Sequence, residues 1–200
     1  KNGSLLDYGC GIGEFLQEAK KQRWSVQGIE PSDKARAQAL GKLPSEVLAT
    51  LGELPNDAAY DVITLFHVLE HIHSLRKTVK KLLNNLKSNG YVIIAVPNPE
   101  SADAAHSGKD WAGYDVPRHL YHFSQKSMTT FQDQFGLELV RIEPMIYDSY
   151  YVSLLSEGYK NPSSGIITRY VKAFLEGYRS NRKAGKPGNY SSNIYIFKKK

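Results

Sequence analysis

The alternation of buried strands with amphipathic helices constrains the fold of this chain more than any other feature. Five apolar or β-branched runs are typical of strands, and helical patterns separate most of them. The predicted strands cover residues 4–9, 24–31, 45–50, 60–68 and 91–98, and the predicted helices cover residues 13–22, 32–40 and 75–90, the last ending at Asn89-Gly90. Buried strands joined by helices predict a parallel sheet in a doubly wound α/β fold with helices on both faces.

The second half of the chain departs from this alternation. Residues 99–122 form a long polar and aromatic segment, followed by a predicted helix over 124–136 and predicted strands over 137–144 and 192–200. Between those two strands lies an insertion at about 145–190, whose amphipathic stripe within 166–178 we expect to pack on its own domain. We predict a single domain over residues 1–200, and its start at Lys1 instead of a Met indicates a trimmed N-terminus.

Composition narrows the cellular setting of this domain. Cys10 is the only cysteine, so an internal disulfide framework is excluded. No apolar run approaches the roughly 18–20 residues that cross a bilayer, and no signal peptide is visible. We therefore expect a cytoplasmic protein without a transmembrane segment.

The net charge of +6 is unevenly distributed along the chain. The last fifty residues carry ten Lys/Arg against two Asp/Glu, while the rest of the chain is slightly acidic. Nucleic-acid binders usually spread basic charge over a recognition surface, which argues against a nucleic-acid partner. We expect a solvated surface, although a basic flank would also suit an anionic substrate or a peripheral membrane contact.

A glycine-rich loop joins the first predicted strand to the first helix. Gly9, Gly11 and Gly13 form G-x-G-x-G, whereas a dinucleotide fingerprint would require glycine at the position of Glu14. An acid there would repel a pyrophosphate at the helix N-terminus. The loop therefore predicts a closely packed ligand that lacks phosphates.

A carboxylate at the end of the second strand points to the rest of that ligand. Glu30 lies where an acid can accept hydrogen bonds from both hydroxyls of a ribose. Adenosine without phosphates, with an amino-acid tail near Asp7 and Gly9, describes S-adenosylmethionine. The alternative is that the glycines form only a tight turn and that Glu30 caps the next helix.

These segments resemble the class I S-adenosylmethionine-dependent methyltransferases, especially the quinone-biosynthesis and small-molecule O-methyltransferase branch. The resemblance rests on LLDYGCGIGEFL, Glu30 and LFHVLEHI, and it extends over residues 3–143. It implies a Rossmann-like seven-stranded sheet, mostly parallel with an antiparallel last strand, that binds S-adenosylmethionine and releases S-adenosylhomocysteine. It also implies a set of cofactor-binding residues: Asp7, Tyr8, Gly9, Cys10, Gly11, Gly13, Glu30, Pro31, Leu51, Gly52, Glu53, Phe66, His67, Val68 and His71.

The stretch FHVLEHIHSL contains H-x-x-E-H, a pattern that binds zinc in metallopeptidases when it lies on a helix. Here His67 comes directly off the fourth predicted strand, so the helical spacing of His67 and His71 is not assured. The resemblance gives a simpler interpretation, in which Phe66, His67 and Val68 border the cofactor. We therefore predict no metallopeptidase and no bound metal. The resemblance leaves one alternative open, a metal in a supporting role, as in some relatives in quinone synthesis, and zinc or iron analysis of the purified protein would test this.

The segment WAGYDVPRHLYHFS supplies the candidate groups for the methyl acceptor. A methyltransferase must align the acceptor with the S–CH3 bond and remove its proton. We predict His119 as the general base, with a purely structural hydrogen bond of His119 as the alternative. Arg118 would pair with an acidic group of the substrate or with Asp115. The predicted substrate-binding residues are Trp111, Tyr114, Arg118 and Tyr121.

The sequence thus predicts methyl transfer to a small-molecule acceptor, most simply a hydroxyl oxygen. Eight of the thirteen tyrosines fall from Tyr147 onward, which suits an aromatic wall for the substrate. One alternative is an RNA or protein methyltransferase, which the basic C-terminal quarter would suit. Another is a cofactor-binding domain without turnover, and an NAD-dependent oxidoreductase fits the glycine spacing least.

Overall fold

A seven-stranded sheet forms the centre of the computed structural model, which describes residues 2–44, 46–55 and 57–200. The strand order is β3-β2-β1-β4-β5-β7-β6, and β7 runs antiparallel to both neighbours while the first five strands are parallel. This confirms the predicted sheet. The strands are β1 (Ser4–Tyr8), β2 (Ser25–Ile29), β3 (Val47–Leu48), β4 (Tyr60–Phe66), β5 (Leu86–Pro97), β6 (Leu137–Pro144) and β7 (Ser192–Lys199). Of the third predicted strand, residue 45 lies outside the described residues.

Helices cover both faces of this sheet. Neighbouring residues of β1 show why, because Leu5 and Leu6 point to opposite faces and are both buried. Leu5 packs in a cluster with α1 and α2, and Leu6 packs in a cluster with α3 and α5. The helices are α1 (Glu14–Lys21), α2 (Asp33–Lys42), α3 (Leu75–Asn84), α4 (Ala102–Ser107), α5 (Gln125–Phe135), α6 (Asp148–Lys160) and α7 (Ile166–Ala184).

The helix predicted over 75–90 is shorter than its apolar pattern indicated. It ends at Asn84, and β5 already begins at Leu86, which pairs with Tyr60 and is buried in the core. The register then shifts, so that Val62 pairs with Tyr91, and the extra residues form a bulge. The prediction of a helix end at Asn89-Gly90 was wrong because tertiary burial of Leu86 in the sheet outweighs helical periodicity.

The segment over 99–122 is ordered around one buried carboxylate. Asp103, in α4, accepts hydrogen bonds from the Trp111 indole N–H at 2.8 Å and from the hydroxyls of Ser180 and Ser191 at 2.7 Å each. These donors belong to three separated parts of the chain. Asp103 therefore fixes this segment against α7 and the start of β7.

The insertion between β6 and β7 consists of α6 and α7, and α7 faces the opposite way to our expectation. Its buried residues are small or polar, and a Cβ at Gly177 would lie 2.6 Å from a ring carbon of Tyr150 in α6. The amphipathic stripe is instead 45–76% exposed, over Ile167, Tyr170, Val171, Phe174, Leu175 and Tyr178. The prediction that the stripe packs inward was wrong because close approach to α6 requires the small-residue face. None of the helices in the described residues is long and apolar enough to cross a membrane.

Candidate active site

The glycine loop turns sharply between β1 and α1. Gly9, Gly11 and Gly13 all have φ in the left-handed region, at 81°, 56° and 77°. At Gly9 a side chain is also excluded by space, since a Cβ would lie 2.4 Å from Cγ2 of Val68. The Gly9 N–H donates to the Ile29 carbonyl at 2.7 Å, which ties the loop to the end of β2. The backbone thus reaches the crevice wall without intervening side chains.

Glu30 closes this loop from the end of β2. Its carboxylate accepts hydrogen bonds from the Gly11 N–H at 2.9 Å and from the Ser32 N–H at 2.8 Å. The N-cap of α2 is Ser32 itself, whose side chain accepts from Ala35 N–H. Two backbone N–H groups thus hold the Glu30 carboxylate in place. The alternative, that Glu30 is the N-cap of α2, is wrong because Ser32 takes that position.

A crevice of about 610 Å³ opens beside this loop, at the carboxyl ends of β1, β2 and β4. Eight predicted cofactor-binding residues line it, namely Tyr8, Gly9, Glu30, Pro31, Phe66, His67, Val68 and His71. The sequence reasoning missed Ile72, His73, Ser74 and Thr78, which also line it. The continuation of FHVLEHIHSL beyond His71 was the available signal for Ile72, His73 and Ser74, whereas Thr78 lies beyond it in α3.

The other predicted cofactor residues are not among those that line the crevice. Asp7 is buried, and its carboxylate accepts from the Thr64 hydroxyl at 2.6 Å. Burial raises the pKa of Asp7 to about 6, with the charge of Glu30 adding to the shift and the Thr64 hydrogen bond opposing it. Cys10 is buried, and desolvation raises the pKa of its thiol to about 12. The remaining residues lie in the loop or in the short 3-10 turn Leu51–Glu53: Gly11, Gly13, Leu51, Gly52 and Glu53.

A second, smaller cavity of about 240 Å³ adjoins the crevice. Its lining includes His67, which also lines the crevice, so the two spaces share one residue. Among the predicted acceptor residues, Arg118 and His119 line it. The sequence reasoning did not assign the α6 residues on its opposite side, which are Asp148, Tyr151, Val152, Leu155 and Tyr159. The cluster of tyrosines after Tyr147 was the signal for this wall.

Three predicted substrate-binding residues lie away from this cavity. Trp111 is 2% exposed and donates its indole N–H to Asp103, so it is a core residue of the 99–122 segment. Tyr114 packs edge-on against Trp111. Tyr121 lines a different cavity with Phe123 and α5. Aromatic residues in a polar segment suggested contacts with the substrate. In the structure, Trp111 and Tyr114 pack against each other instead. The Arg118 guanidinium pairs with Asp115 at 2.8 Å.

One ring nitrogen of His119 forms a hydrogen bond with the backbone. Its Nδ1 lies 2.9 Å from the Gly113 carbonyl oxygen, so Nδ1 carries the hydrogen and Nε2 keeps a lone pair in the neutral ring. Nε2 lies 3.9 Å from both Glu70 and Asp115 carboxylate oxygens. Burial lowers the pKa of His119, and nearby carboxylates only partly oppose this.

The H-x-x-E-H motif is not on one helix. His67 follows β4 directly and has φ at 54°, while Glu70 and His71 belong to the 3-10 turn Leu69–His71. Burial of His67 opposes its protonation, yet Glu70 and Asp148 outweigh that effect and raise its pKa. Glu70, His71 and His119 lie close together beside this segment, with one side-chain nitrogen or oxygen atom of each within 4.8 Å of the others.

Comparison with known proteins agrees with this architecture. A family model described as a methyltransferase domain matches residues 1–142. The ubiquinone biosynthesis O-methyltransferase of Rickettsia prowazekii is 31% identical over 100 residues, which cover 47% of this chain and 40% of that protein. The protein of the same name from Rickettsia canadensis is 26% identical over 157 residues, covering 72% and 66%. The chain thus spans between two fifths and two thirds of the length of these relatives.

A solved structure supports the same conclusion at the level of the fold. The crystal structure of a SAM dependent methyltransferase from Archaeoglobus fulgidus aligns with a TM-score of 0.63 at 22% identity, over 98% of this chain and 86% of that chain. The family model covers most of the chain, and it includes the glycine loop, Glu30 and the H-x-x-E-H segment. The chain therefore belongs to the methyltransferase-domain family of class I S-adenosylmethionine-dependent methyltransferases.

Proposed function

We propose that this protein transfers a methyl group from S-adenosylmethionine to a hydroxyl oxygen of a small-molecule acceptor. One observation carries the proposal: His67 lines both the crevice beside the glycine loop and the smaller cavity that contains His119. A donor in the crevice and an acceptor in the cavity would meet at His67. Methyl transfer requires this contact, because the acceptor oxygen must approach the methyl carbon in line with the C–S bond.

The proposal assigns the donor to the crevice by the chemistry of its walls. Gly9 removes side-chain bulk where the nucleoside would lie, and the Glu30 carboxylate can accept further hydrogen bonds from ribose hydroxyls. Oxygen as the acceptor atom is supported by the names of the relatives, which are O-methyltransferases. The acceptor cavity uses residues from both halves of the chain, which supports residues 1–200 as one catalytic domain.

In this proposal His119 acts on the acceptor hydroxyl. Its Nε2 lone pair is free because Nδ1 is committed to the Gly113 carbonyl, and the ring borders the acceptor cavity. As the acceptor oxygen forms its bond to the methyl carbon, the C–S bond breaks and the sulfonium becomes a neutral thioether. The hydroxyl proton must leave, and Nε2 of His119 is positioned to accept it.

Two isosteric variants test donor binding. We expect Glu30→Gln to weaken binding of S-adenosylhomocysteine by about tenfold or more in calorimetric titration, since about 1.4 kcal/mol per lost charge-assisted hydrogen bond equals tenfold. Glu14→Gln is the matched control, because Glu14 is an exposed acid in the same loop region. Equal affinities of the wild type and Glu30→Gln for the ligand would contradict the assignment of the crevice.

A separate pair tests transfer. With methyl-labelled S-adenosylmethionine and a panel of hydroxyl-bearing aromatic compounds, we expect His119→Gln to lower turnover by about 10²-fold or more and to leave binding of S-adenosylhomocysteine intact. His122→Gln is the control, since His122 is an exposed histidine of the same segment whose Nε2 lies 3.0 Å from the Tyr114 backbone carbonyl. Undiminished turnover in His119→Gln would refute the role of His119.

A further inference from the structure

The outward face of α7 carries a row of large apolar side chains in contact with solvent. Spacings of three and four residues place them on one side of the helix, along about 17 Å of its axis. This α7 stripe consists of Ile167, Tyr170, Val171, Phe174, Leu175 and Tyr178, each 45–76% exposed. A protein rarely exposes a contiguous apolar patch of this extent unless something binds to it.

Tyrosines at the start of α6 extend the exposed apolar surface. Tyr147 is 87% exposed and Tyr151 is 62% exposed. Both line an open cleft of about 490 Å³ between α6 and α7, together with Tyr170 and Phe174 of the stripe. A tyrosine combines an apolar ring with a polar hydroxyl, which suits the boundary between an apolar phase and water. The surface therefore spans both helices and is rich in a residue type that favours such a boundary.

The exposed charged residues of α7 are all basic. They are Lys172, Arg179, Arg182 and Lys183. Glu176 is the single acid of the helix, but it is 7% exposed and its carboxylate lies 3.7 Å from Nε2 of His106, on the inward side. Leu175, at the edge of the stripe, lies three residues from Lys172 and four from Arg179, so the basic residues run alongside the stripe. We call these four residues the basic flank.

The charge of the basic flank is only partly offset inside the protein. Nζ of Lys172 lies 4.0 Å from the carboxylate of Glu157, which is itself buried. In the part of the chain that the structure describes, no carboxylate pairs with Arg179 or Lys183. Lys and Arg side chains can lay their apolar stems along a hydrophobic surface while their charged ends reach outward. The flank is therefore available to negative charges that lie just above the stripe.

We propose that the α7 stripe and its basic flank dock this protein on an anionic lipid bilayer. A helix with one apolar face and Lys/Arg beside it lies in the plane of the membrane, with its apolar side chains among the acyl chains and its cations at the phosphates. A second copy of the chain fits less well, because a two-fold interface would bring the same basic patch of both subunits together. Charge complementarity to lipid phosphates, together with the exposed tyrosines, favours the bilayer.

Docking in this way would also hold the acceptor cavity beside the membrane. Tyr151 lines both the cleft between α6 and α7 and the acceptor cavity, so the two spaces share one side chain. The docking surface is otherwise separate from the crevice at the glycine loop, whose walls come from β1, β2, β4 and the turns that follow them. Membrane docking goes beyond the proposed function and does not rest on it.

Cosedimentation of the full chain with lipid vesicles tests the proposal without a methyl-transfer assay. We expect vesicles of equal parts phosphatidylglycerol and phosphatidylcholine to bind at least about tenfold more tightly than vesicles of phosphatidylcholine alone, and added salt to weaken the binding. Phe174→Ser should weaken binding to the anionic vesicles by about tenfold or more, because an apolar ring no longer enters the acyl region. The double variant Arg179→Gln and Lys183→Gln should also lose about tenfold or more, because two cations no longer meet the phosphates.

Matched variants elsewhere on the surface serve as controls. Val140→Ser changes a half-exposed apolar residue of β6. Lys77→Gln together with Lys81→Gln removes two exposed cations of α3 that have the same spacing as Arg179 and Lys183. Each control should bind anionic vesicles as the wild type does, and circular dichroism should show that every variant is folded.

Four results would overturn the proposal. The first is no binding of the wild type to anionic vesicles, and the second is undiminished binding by folded Phe174→Ser. The third is a dimer in sedimentation equilibrium without lipid that Phe174→Ser abolishes, since a second copy would then cover the stripe. The fourth is binding of soluble poly-L-glutamate as tight as that of the vesicles, which would indicate an acidic protein as the partner. Titration with S-adenosylhomocysteine is independent of all four, so failure of membrane docking and failure of the proposed function can be told apart.

Discussion

Replacement of Asp7 by asparagine should make the stability of this protein less dependent on pH. Asp7 is 3% exposed, and burial raises its pKa from 3.8 to about 6. This rise of the Asp7 pKa corresponds to about 3 kcal/mol of folding free energy between the two protonation states. The folded protein holds this proton more tightly than the unfolded chain, so stability falls as pH rises from about 4 to about 6. Above that range the full cost of the buried charge is present.

Asp7→Asn removes this charge and keeps an oxygen that can accept from the Thr64 hydroxyl. We therefore expect the free energy of unfolding of the variant, relative to wild type, to increase by up to about 3 kcal/mol between pH 4 and pH 7. Urea unfolding at four pH values measures this difference, which cancels the contributions of all other titrating groups. Asp133→Asn, at an exposed position of α5, is the control and should show no such trend. A difference that stays constant with pH for Asp7→Asn would refute the reasoning.

Three further predictions concern stability and can be measured by urea unfolding. Gly9→Ala should lower the free energy of unfolding by about 2–4 kcal/mol, because the new methyl group clashes with Val68 and the residue has a positive φ. Gly11→Ala has a positive φ but meets no described atom within 4 Å, so it should lower the free energy by only about 1 kcal/mol. Equal losses in the two variants would contradict the steric argument. Asp103→Ala should cost about 3–5 kcal/mol because three buried donors lose their acceptor, and a loss below about 1 kcal/mol would be inconsistent with that role. The Lys87 ammonium and Ser4 lower the pKa of Asp61 to about 2, so Asp61→Asn should destabilise the protein at neutral pH. This loss of stability should disappear as pH falls from about 4 to about 2, because the wild-type carboxylate then becomes protonated. A loss of stability that does not change with pH would contradict this reasoning.

Features encoded in short stretches were predictable from the sequence. The glycine loop and Glu30 each follow a strand directly, and in a parallel sheet the carboxyl ends of the strands lie along one edge. Local pattern therefore predicts that Gly9 and Glu30 border one crevice, and the family resemblance adds His67; all three line it. The parallel strands followed from the same alternation, and the family resemblance supplied the antiparallel last strand.

Features that depend on contacts between distant segments were not predictable in this way. Trp111 was assigned to the substrate, yet its indole packs in the core because Asp103 and two distant serines converge there. The α6 wall of the acceptor cavity and the outward stripe of α7 depend on how the insertion docks. Apolar periodicity identifies a helix face but does not determine which neighbour covers it.

The sequence by itself determined three features: the parallel strands of the sheet, the glycine loop at Gly9, and the acid at the end of β2. Each of them depends on residues that are close together in the chain. Only the tertiary structure decided that His119 lies beside Glu70 and His71. The physical reason is that this meeting depends on a hydrogen bond between Leu120 and the Glu70 backbone, across segments that β5 and α4 separate in the sequence. Motif spacing cannot encode such a contact.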